Sequence, residues 1–451
     1  MSPDRPLKSS VSRVRFDVLI VGSGPAGSFA ALTLARQGAR VALLDKAAFP
    51  RDKACGDLVG PRGIQMLTDI GHSLPGGLNV GDMIVVGPTG RRVRLPTRAG
   101  HTYPGHGTAI TRVAFDASLQ NAAVEAGAIP FTGRADRPLE ADGRLDGFQT
   151  ADGGELRADF VIGADGATSH VAATAGMVDA GRVLWGFAVR GYLNQPVELP
   201  AIVLWEQRRW RAFPGYGWIF PAADGGANVG LGIAMRSNRS EGAGAVRMFP
   251  AFLDHLRALG FIDRTTPEPS RRLGGWLKMG MIGTTPARDR TLLVGDAAGL
   301  VNPLQGEGIS QAMGSGKAAA NAILRAPGNP ADLYRTTLAG AHLPYQRVAA
   351  AAHSGLVGRP TAVSLVGRAI TSPGIGAALA GGWSIFWNEL LDGAPTSRGR
   401  TVAAAVTSLG ERFTARSHAA QWFADTLPQD NQAGGSQSAP TSKPRYRQRR
   451  G

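Results

Sequence analysis

Apolar runs of two distinct periods alternate along the first half of the chain. Phe16 to Val21 is short, apolar and rich in β-branched residues, the pattern of a buried strand. Ala26 to Gln37 has helical composition, and Arg40 to Asp45 is a second strand that ends in an acid, so a βαβ unit opens the chain. Thr111 to Gly127 predicts another helix with Leu119, Ala122 and Ala123 on its apolar face, and Phe160 to Ile162 predicts a strand that runs into a glycine-flanked turn. From Leu184 to Ile282 aromatic and β-branched runs are broken by Gly and Pro, and this stretch holds Trp185, Trp205, Trp210, Trp218 and Trp276 of the eight tryptophans. It predicts an antiparallel sheet forming one wall of a pocket. Thr291 to Val294 returns to a buried strand, followed by a loop and a helix from Gly308 to Leu324. Beyond residue 330 the pattern is helical, with Val402, Val406, Leu409 and Phe413 on one helix face.

Composition narrows the class of protein. The 451 residues are 43% hydrophobic and 18% charged, which suits a chain with sizeable cores and excludes wholesale disorder. Net charge is +15, carried almost entirely by arginine, since only six lysines occur. The arginines are scattered and lack aromatic interleaving, so no nucleic-acid partner is expected. Lys443, Arg445, Arg447, Arg449 and Arg450 crowd a Gly/Ser/Pro/Gln/Arg-rich tail that is predicted to be disordered. A single cysteine, Cys55, rules out an intramolecular disulfide, and no His/Cys spacing suggests a metal. Arg5, Lys8, Arg13 and Arg15 precede an apolar run that could pass for a signal sequence, but Asp17 and the glycines read instead as strand, turn and helix. No stretch reaches the roughly 18 apolar residues a spanning helix needs, and a cytoplasmic protein, peripheral at the inner face of the membrane, is expected.

The turn after the first strand is Gly22-Ser23-Gly24-Pro25-Ala26-Gly27. Gly22 permits the tight turn, Gly24 lets a pyrophosphate approach the backbone, and Gly27 lets helix and strand pack closely. The helix start presents free N–H groups and a positive dipole end to phosphates. Asp45, 18 residues after Gly27, is placed to accept from ribose hydroxyls. Two further turns, Gly163-Ala164-Asp165-Gly166 and Gly295-Asp296, each set a carboxylate at a strand's carboxyl end, where a ribityl chain or second nucleotide moiety could be met.

In this order the three turns resemble the FAD fingerprints of the p-hydroxybenzoate-hydroxylase-like flavoproteins. Phe49-Pro50-Arg51-Asp52-Lys53-Ala54-Cys55-Gly56 is similar to a segment of the geranylgeranyl reductases within that superfamily. Tyr216-Gly217-Trp218-Ile219-Phe220-Pro221, followed after eight residues by Gly230-Leu231-Gly232, and Asn302 to Ile309 are similar to two more of their blocks. The likeness covers residues 15 to 325. Three positions depart from it: Asp45 where Glu is commoner, Asp57 where a glycine usually follows Cys-Gly, and Ala172 where arginine is frequent. The first two mark a divergent subgroup and leave the substrate open.

The resemblance implies an α/β (α+β) chain: a Rossmann-like FAD-binding domain interleaved with an antiparallel-sheet substrate domain, plus a helical C-terminal region. The boundaries expected are a polar arm over 1–14, FAD-binding segments over 15–70, 105–180 and 285–328, substrate-domain segments over 71–104 and 181–284, helices over 329–428 and a basic tail over 429–451. It also implies an FAD-dependent oxidoreductase that hydrogenates isoprenoid double bonds, on a geranylgeranyl, polyprenyl or menaquinone chain. Cofactor contacts are expected from Gly22, Gly24, Pro25, Ala26, Gly27, Asp45, Lys46, Arg51, Cys55, Gly56, Arg112, Asp165, Gly166, Gly295, Asp296, Pro303, Gly306, Gly308 and Ile309, with Lys53 a further candidate. Backbone N–H groups of the 306–309 loop would oppose the negative charge of a reduced flavin.

Reducing an isolated alkene takes a hydride at one carbon and a proton at the other. Positive charge develops between them, which an aromatic face stabilises by ~0.5–2 kcal/mol. Tyr216 and Trp218 are the candidates for that role, and packing as the wall of an apolar pocket explains them equally well. Cys55 is the third catalytic candidate, either acting near the flavin or filling space as a small apolar residue. No second strand-linked Gly-x-Gly-x-x-Gly is present, so electrons are expected from transiently docked NAD(P)H or from a reduced electron-transfer protein. A prenyl tail of about twenty carbons gains on the order of 15 kcal/mol by leaving water, so membrane contact is expected, through the tail and through Ile375 to Trp387. The competing readings are a flavin monooxygenase or halogenase acting on an apolar metabolite, and a non-enzymatic flavin- or lipid-binding protein.

Overall fold

The computed structural model describes residues 15–95, 97, 99, 103–205, 215–235, 242–356, 359–374, 376 and 408. The arm over 1–14, Trp210, the aromatic patch residues Ile375, Trp383, Phe386 and Trp387, the Val402–Phe413 face and the tail over 429–451 lie outside the described residues.

A mostly parallel sheet forms around the first strand, Arg15–Val21. Glu155–Gly163 and Val41–Asp45 flank it in parallel, Ile129–Thr132 lies beyond Val41–Asp45, and Thr291–Leu293 beyond Glu155–Gly163. Val18, Leu19 and Ile20 are all fully buried, so the strand's unbroken apolar run follows from cover on both faces. Helices Pro25–Ala35 and Ile309–Arg325 pack on it and on each other. They approach so closely that a Cβ on Gly316 would overlap the Ala26 carbonyl oxygen.

The second sheet runs in the order Leu273–Met279, Leu184–Leu193, Ala227–Met235, Gly215–Pro221, Ala201–Val203, Met83–Val86, Arg92–Leu95. All its pairings are antiparallel except Met83–Val86 with Ala201–Val203, by which the segment near residue 85 enters this sheet. One face, with Ile219, Val229, Leu231 and Ile233, packs on the helix Gly242–Ala258. The sequence pattern predicts only sheet here. Its glycines and Pro250 are strand-punctuating residues, yet Ala245, Phe249, Phe252 and Leu256 fall on one helical face and are fully buried.

Between the sheets, the helix Pro61–Asp69 and a three-stranded sheet of Leu58–Val59, Gly107–Ala109 and Leu78–Val80 fill a space for which the sequence reading assigned no elements. The expected helix over 111–127 forms as Arg112–Glu125, and Thr111 caps it by accepting from the Ala114 N–H at 3.3 Å. Helices Pro330–Ala341, Leu343–Leu356 and Pro360–Ile370 follow. Tyr334 donates to the Leu293 carbonyl at 2.7 Å and Gln346 to that of Leu300 at 3.0 Å, which ties these helices to the end of the parallel sheet.

Candidate active site

The glycine turn has the geometry a pyrophosphate requires. Gly22 has φ +105°, and a Cβ there would overlap the Ala164 carbonyl, while one on Gly27 would overlap the Gly22 carbonyl oxygen. At Gly24 the same test meets only an Arg51 guanidinium nitrogen, at 3.6 Å. The turn therefore opens at its middle glycine, beneath a cation, and Pro25 starts the helix with Ala26 buried behind it. Asp45 accepts from the Ser23 N–H at 2.7 Å and the Ala47 N–H at 3.0 Å, so its carboxylate is fixed by backbone at the rim of the turn, with Lys46 exposed beside it.

Arg51 sits 3.9 Å from Asp45, donates to Asp116 at 3.0 Å and lies over the Phe49 ring. Arg112 is buried and grips the buried Asp116 with two donations, at 2.7 and 2.6 Å. Its guanidinium also faces the Cys55 thiol. Burial pushes that thiol up, and the Arg112 charge opposes the shift. Two of the donors expected to reach a cofactor from Arg112 are thus held by Asp116.

The two remaining acids differ in their surroundings. Asp165 accepts from Ser169 at 2.5 Å and from the N–H groups of His170 and Val171 at 2.6 and 3.1 Å, capping the short helix His170–Thr174, with Gly166 at φ +84° completing the turn. Asp296 stands in the one-turn helix Gly295–Ala298 with Lys53 3.5 Å away. Gly295, at φ +56°, lets this turn press against Ala26 and Ala312. Behind both acids lies Lys278, 1% exposed, which donates to the Ala297 carbonyl at 2.7 Å. Burial brings its pKa down to about 8 against the opposing pull of Asp165 and Asp296. The sequence reading missed this cation; a lysine within an apolar stretch expected to form sheet, among only six, was its signal.

The loop from Asn302 to Gly308 is shaped by its own backbone. Asn302 accepts from the N–H groups of Leu304 and Gln305 at 2.8 and 3.2 Å, Gly306 turns at φ +67°, and Glu307 accepts from the Ser310 N–H at 3.0 Å. Gly308 and the buried Ile309 then begin the helix Ile309–Arg325, and the Pro303 carbonyl bonds to the His353 ring at 3.1 Å.

Facing this loop is the second sheet's other side. Tyr216, Trp218 and Phe220 alternate along one strand and stand opposite Gly232, Gly230 and Asn228 on the next. The spacing of the tyrosine, tryptophan and glycine block now has a physical reason. The Trp218 indole lies across Gly230, where a Cβ would overlap its ring. Tyr216 donates to the Gln305 carbonyl and ties this wall to the loop, and burial raises its hydroxyl, so it stays a neutral donor. Trp218 Nε1–H donates to Asn228 Oδ1 at 2.9 Å, and Asn228 Nδ2 donates to the Cys55 carbonyl at 2.9 Å and to Asp57 at 3.0 Å. Gly56 permits the approach, since a Cβ there would come within 2.9 Å of the Phe220 ring. Of the three catalytic candidates, Trp218 and Cys55 are therefore joined through Asn228, which sequence reasoning missed, and Tyr216 stands near Cys55, with Trp218 and Phe220 buried in the wall they form.

Asp57, φ +59° and 5% exposed, also accepts from Tyr192, whose ring lies under the Arg190 guanidinium, and Arg190 pairs with Asp52. Burial pushes the Asp57 pKa up to about 6, opposed by Tyr192, Arg190, Asn228 and Arg112. Among the described residues no group of His, Cys, Asp and Glu could hold a metal, and no helix is long and apolar enough to cross a membrane.

The model of the FAD binding domain family matches residues 15–325. A menaquinone reductase of Mycolicibacterium smegmatis is 34% identical over 316 residues, 68% of this chain and 76% of that protein. Digeranylgeranylglycerophospholipid reductase 2 of Methanopyrus kandleri is 32% identical over 324 residues, again 68% and 76%. The crystal structure of a geranylgeranyl bacteriochlorophyll reductase-like protein from Thermoplasma acidophilum superposes with a TM-score of 0.68 over 89% of this chain and all of the other, at 21% identity.

Proposed function

The chain belongs to the family of FAD-dependent reductases that includes the menaquinone and digeranylgeranylglycerophospholipid reductases, and from that premise we propose that it hydrogenates carbon–carbon double bonds of an isoprenoid chain, of the menaquinone side-chain or geranylgeranyl kind. It is an FAD-dependent oxidoreductase. The observation that carries the substrate reading is the aromatic wall of Tyr216, Trp218 and Phe220, bonded at one end to the Gln305 carbonyl and at the other, through Asn228, to Cys55.

The residues present fit FAD, because the turn at Gly24 is open where its flanking glycines are closed. The Gly24 backbone and Arg51 would hold the pyrophosphate, Asp45 the ribose, Asp296 the ribityl chain, and the N–H groups of the 306–309 loop the flavin ring. Bound and reduced, FAD supplies the hydride. The chain supplies an apolar surface on which an isoprenoid leaves water, at ~0.8 kcal/mol per CH₂, and aromatic faces that stabilise developing positive charge. Arg112 faces the Cys55 thiol and orients it, and that thiol can hand a proton to the second alkene carbon. Electrons arrive from NAD(P)H or from a reduced electron-transfer protein, and the lipid substrate is met at a membrane surface.

Stopped-flow mixing tests this reading. Holoenzyme reduced anaerobically should recover its oxidised flavin spectrum on addition of vesicles carrying geranylgeranyl lipid, which has no quinone ring to take the electrons, and not with the saturated analogue. A flavin that stays reduced in the presence of the unsaturated lipid would refute it.

A further inference from the structure

We propose that Asn228 is a positioning residue of the candidate active site, locking the Trp218 indole and the Cys55–Asp57 segment into one unit. The proposal rests on the reading of these residues as the active site, but its test needs no turnover.

Asn228 is 1% exposed and makes three hydrogen bonds of 2.9–3.0 Å, each to a partner with a different role. Its carbonyl oxygen takes the indole N–H and so fixes the rotation of Trp218 across Gly230. Its amide group holds the Cys55 carbonyl and the Asp57 carboxylate, which belong to a loop 171–173 residues away in sequence. An amide is the side chain this place demands. It must accept on one side and donate twice on the other, and neither a carboxylate, a hydroxyl nor an apolar group offers that combination. The sheet register puts Asn228 opposite both Phe220 and Tyr192, so the same residue sits where the aromatic wall meets the polar cluster of Tyr192, Asp57, Arg190 and Asp52. The amide joins the Trp218 indole to the Cys55 segment by hydrogen bonds, beside the close packing of Gly56 on the Phe220 ring.

Cys55 is the chain's single cysteine and is partly exposed, so thiol labelling reports this segment and nothing else. The full chain, with and without FAD, is labelled with a maleimide in the wild type, Asn228→Ala and Trp218→Phe. Asn228→Ala should label about ten- to a hundredfold faster in both forms, the change in local opening that follows loss of two buried hydrogen bonds. Trp218→Phe removes the indole donor together with part of its ring; it should label several-fold faster and shift the flavin spectrum of the loaded protein without loss of FAD content. Asp146→Asn, which removes a buried carboxylate bonded to Arg15 and Arg157 at the far end of the parallel sheet, controls for general loosening. Equal labelling in wild type and Trp218→Phe, or an equal rise in Asp146→Asn, overturns the proposal. Should Asn228→Ala fail to fold, the Trp218→Phe and Asp146→Asn pair decides it.

Discussion

Asp57→Asn removes a carboxylate that folding carries out of water. In the folded chain Asp57 is 5% exposed, one oxygen accepts from Tyr192 and Asn228, and the other is buried without a partner among the described residues. Desolvation outweighs the help of Arg190 and Arg112 and brings the pKa from 3.8 to about 6. The folded state therefore binds its proton more tightly than the unfolded state does. Stability is greatest below the unfolded value and falls as pH rises toward the folded one, after which it is level. About two units at 1.36 kcal/mol each gives about 3 kcal/mol lost between pH 4 and pH 7. Asn keeps the shape and tolerates the left-handed backbone at φ +59°, so the variant isolates the charge. Urea unfolding of wild type and variant, in parallel from pH 4 to pH 8 at matched FAD, gives the difference in stability directly. That difference should move by about 3 kcal/mol in the variant's favour as pH rises, most of it between pH 4 and pH 6. A difference that stays constant with pH would refute the claim that the Asp57 charge is poorly compensated.

Three other substitutions follow from the geometry. Gly27→Ala forces a methyl into the Gly22 carbonyl and should abolish FAD retention through gel filtration, read by the flavin absorbance of the eluted protein. Gly230→Ala displaces the Trp218 indole and should cost about 1–3 kcal/mol in urea unfolding, with a change in tryptophan emission. Lys278→Met removes a buried ammonium whose pKa is lowered from 10.5 to about 8. The unfolded lysine holds its proton more tightly, so wild-type stability should climb relative to the variant as pH rises from 8 to 10, by up to about 3 kcal/mol; a flat difference would contradict the assignment.

The parts of the molecule legible in the sequence are those whose cause is local. The first βαβ unit is written in a strand, three glycines and a distal acid within about thirty residues, and the structure gives Gly22 and Gly27 the close contacts that pattern requires. The order of the second sheet and the helix Gly242–Ala258 were not legible, because Gly242, Gly244 and Pro250 carry the local marks of breakers while the burial of Phe249 and Phe252 depends on the distant strands they cover. At the site, Cys55, Tyr216 and Trp218 stood out by motif, but Asn228 makes sense only through partners on other elements, and so escapes any reading by spacing. Arg112 was legible as a charged residue opening a helix; that Asp116, one turn on, would hold it emerges only when both are buried. Lys278 was hidden for the same reason, since its carboxylate neighbours Asp165 and Asp296 come from two separate turns that only the fold brings to it.

Reduction of an isoprenoid chain is tested most directly by mass spectrometry of lipid after anaerobic incubation with the holoenzyme and dithionite. The account predicts that geranylgeranyl lipid, or menaquinone whose ring is reoxidised to the quinone before analysis, gains the mass of one dihydrogen for each chain double bond reduced, in the absence of oxygen during the incubation. Lipid left unchanged without oxygen, but gaining one oxygen atom with NAD(P)H in air, would contradict it and make the protein a monooxygenase.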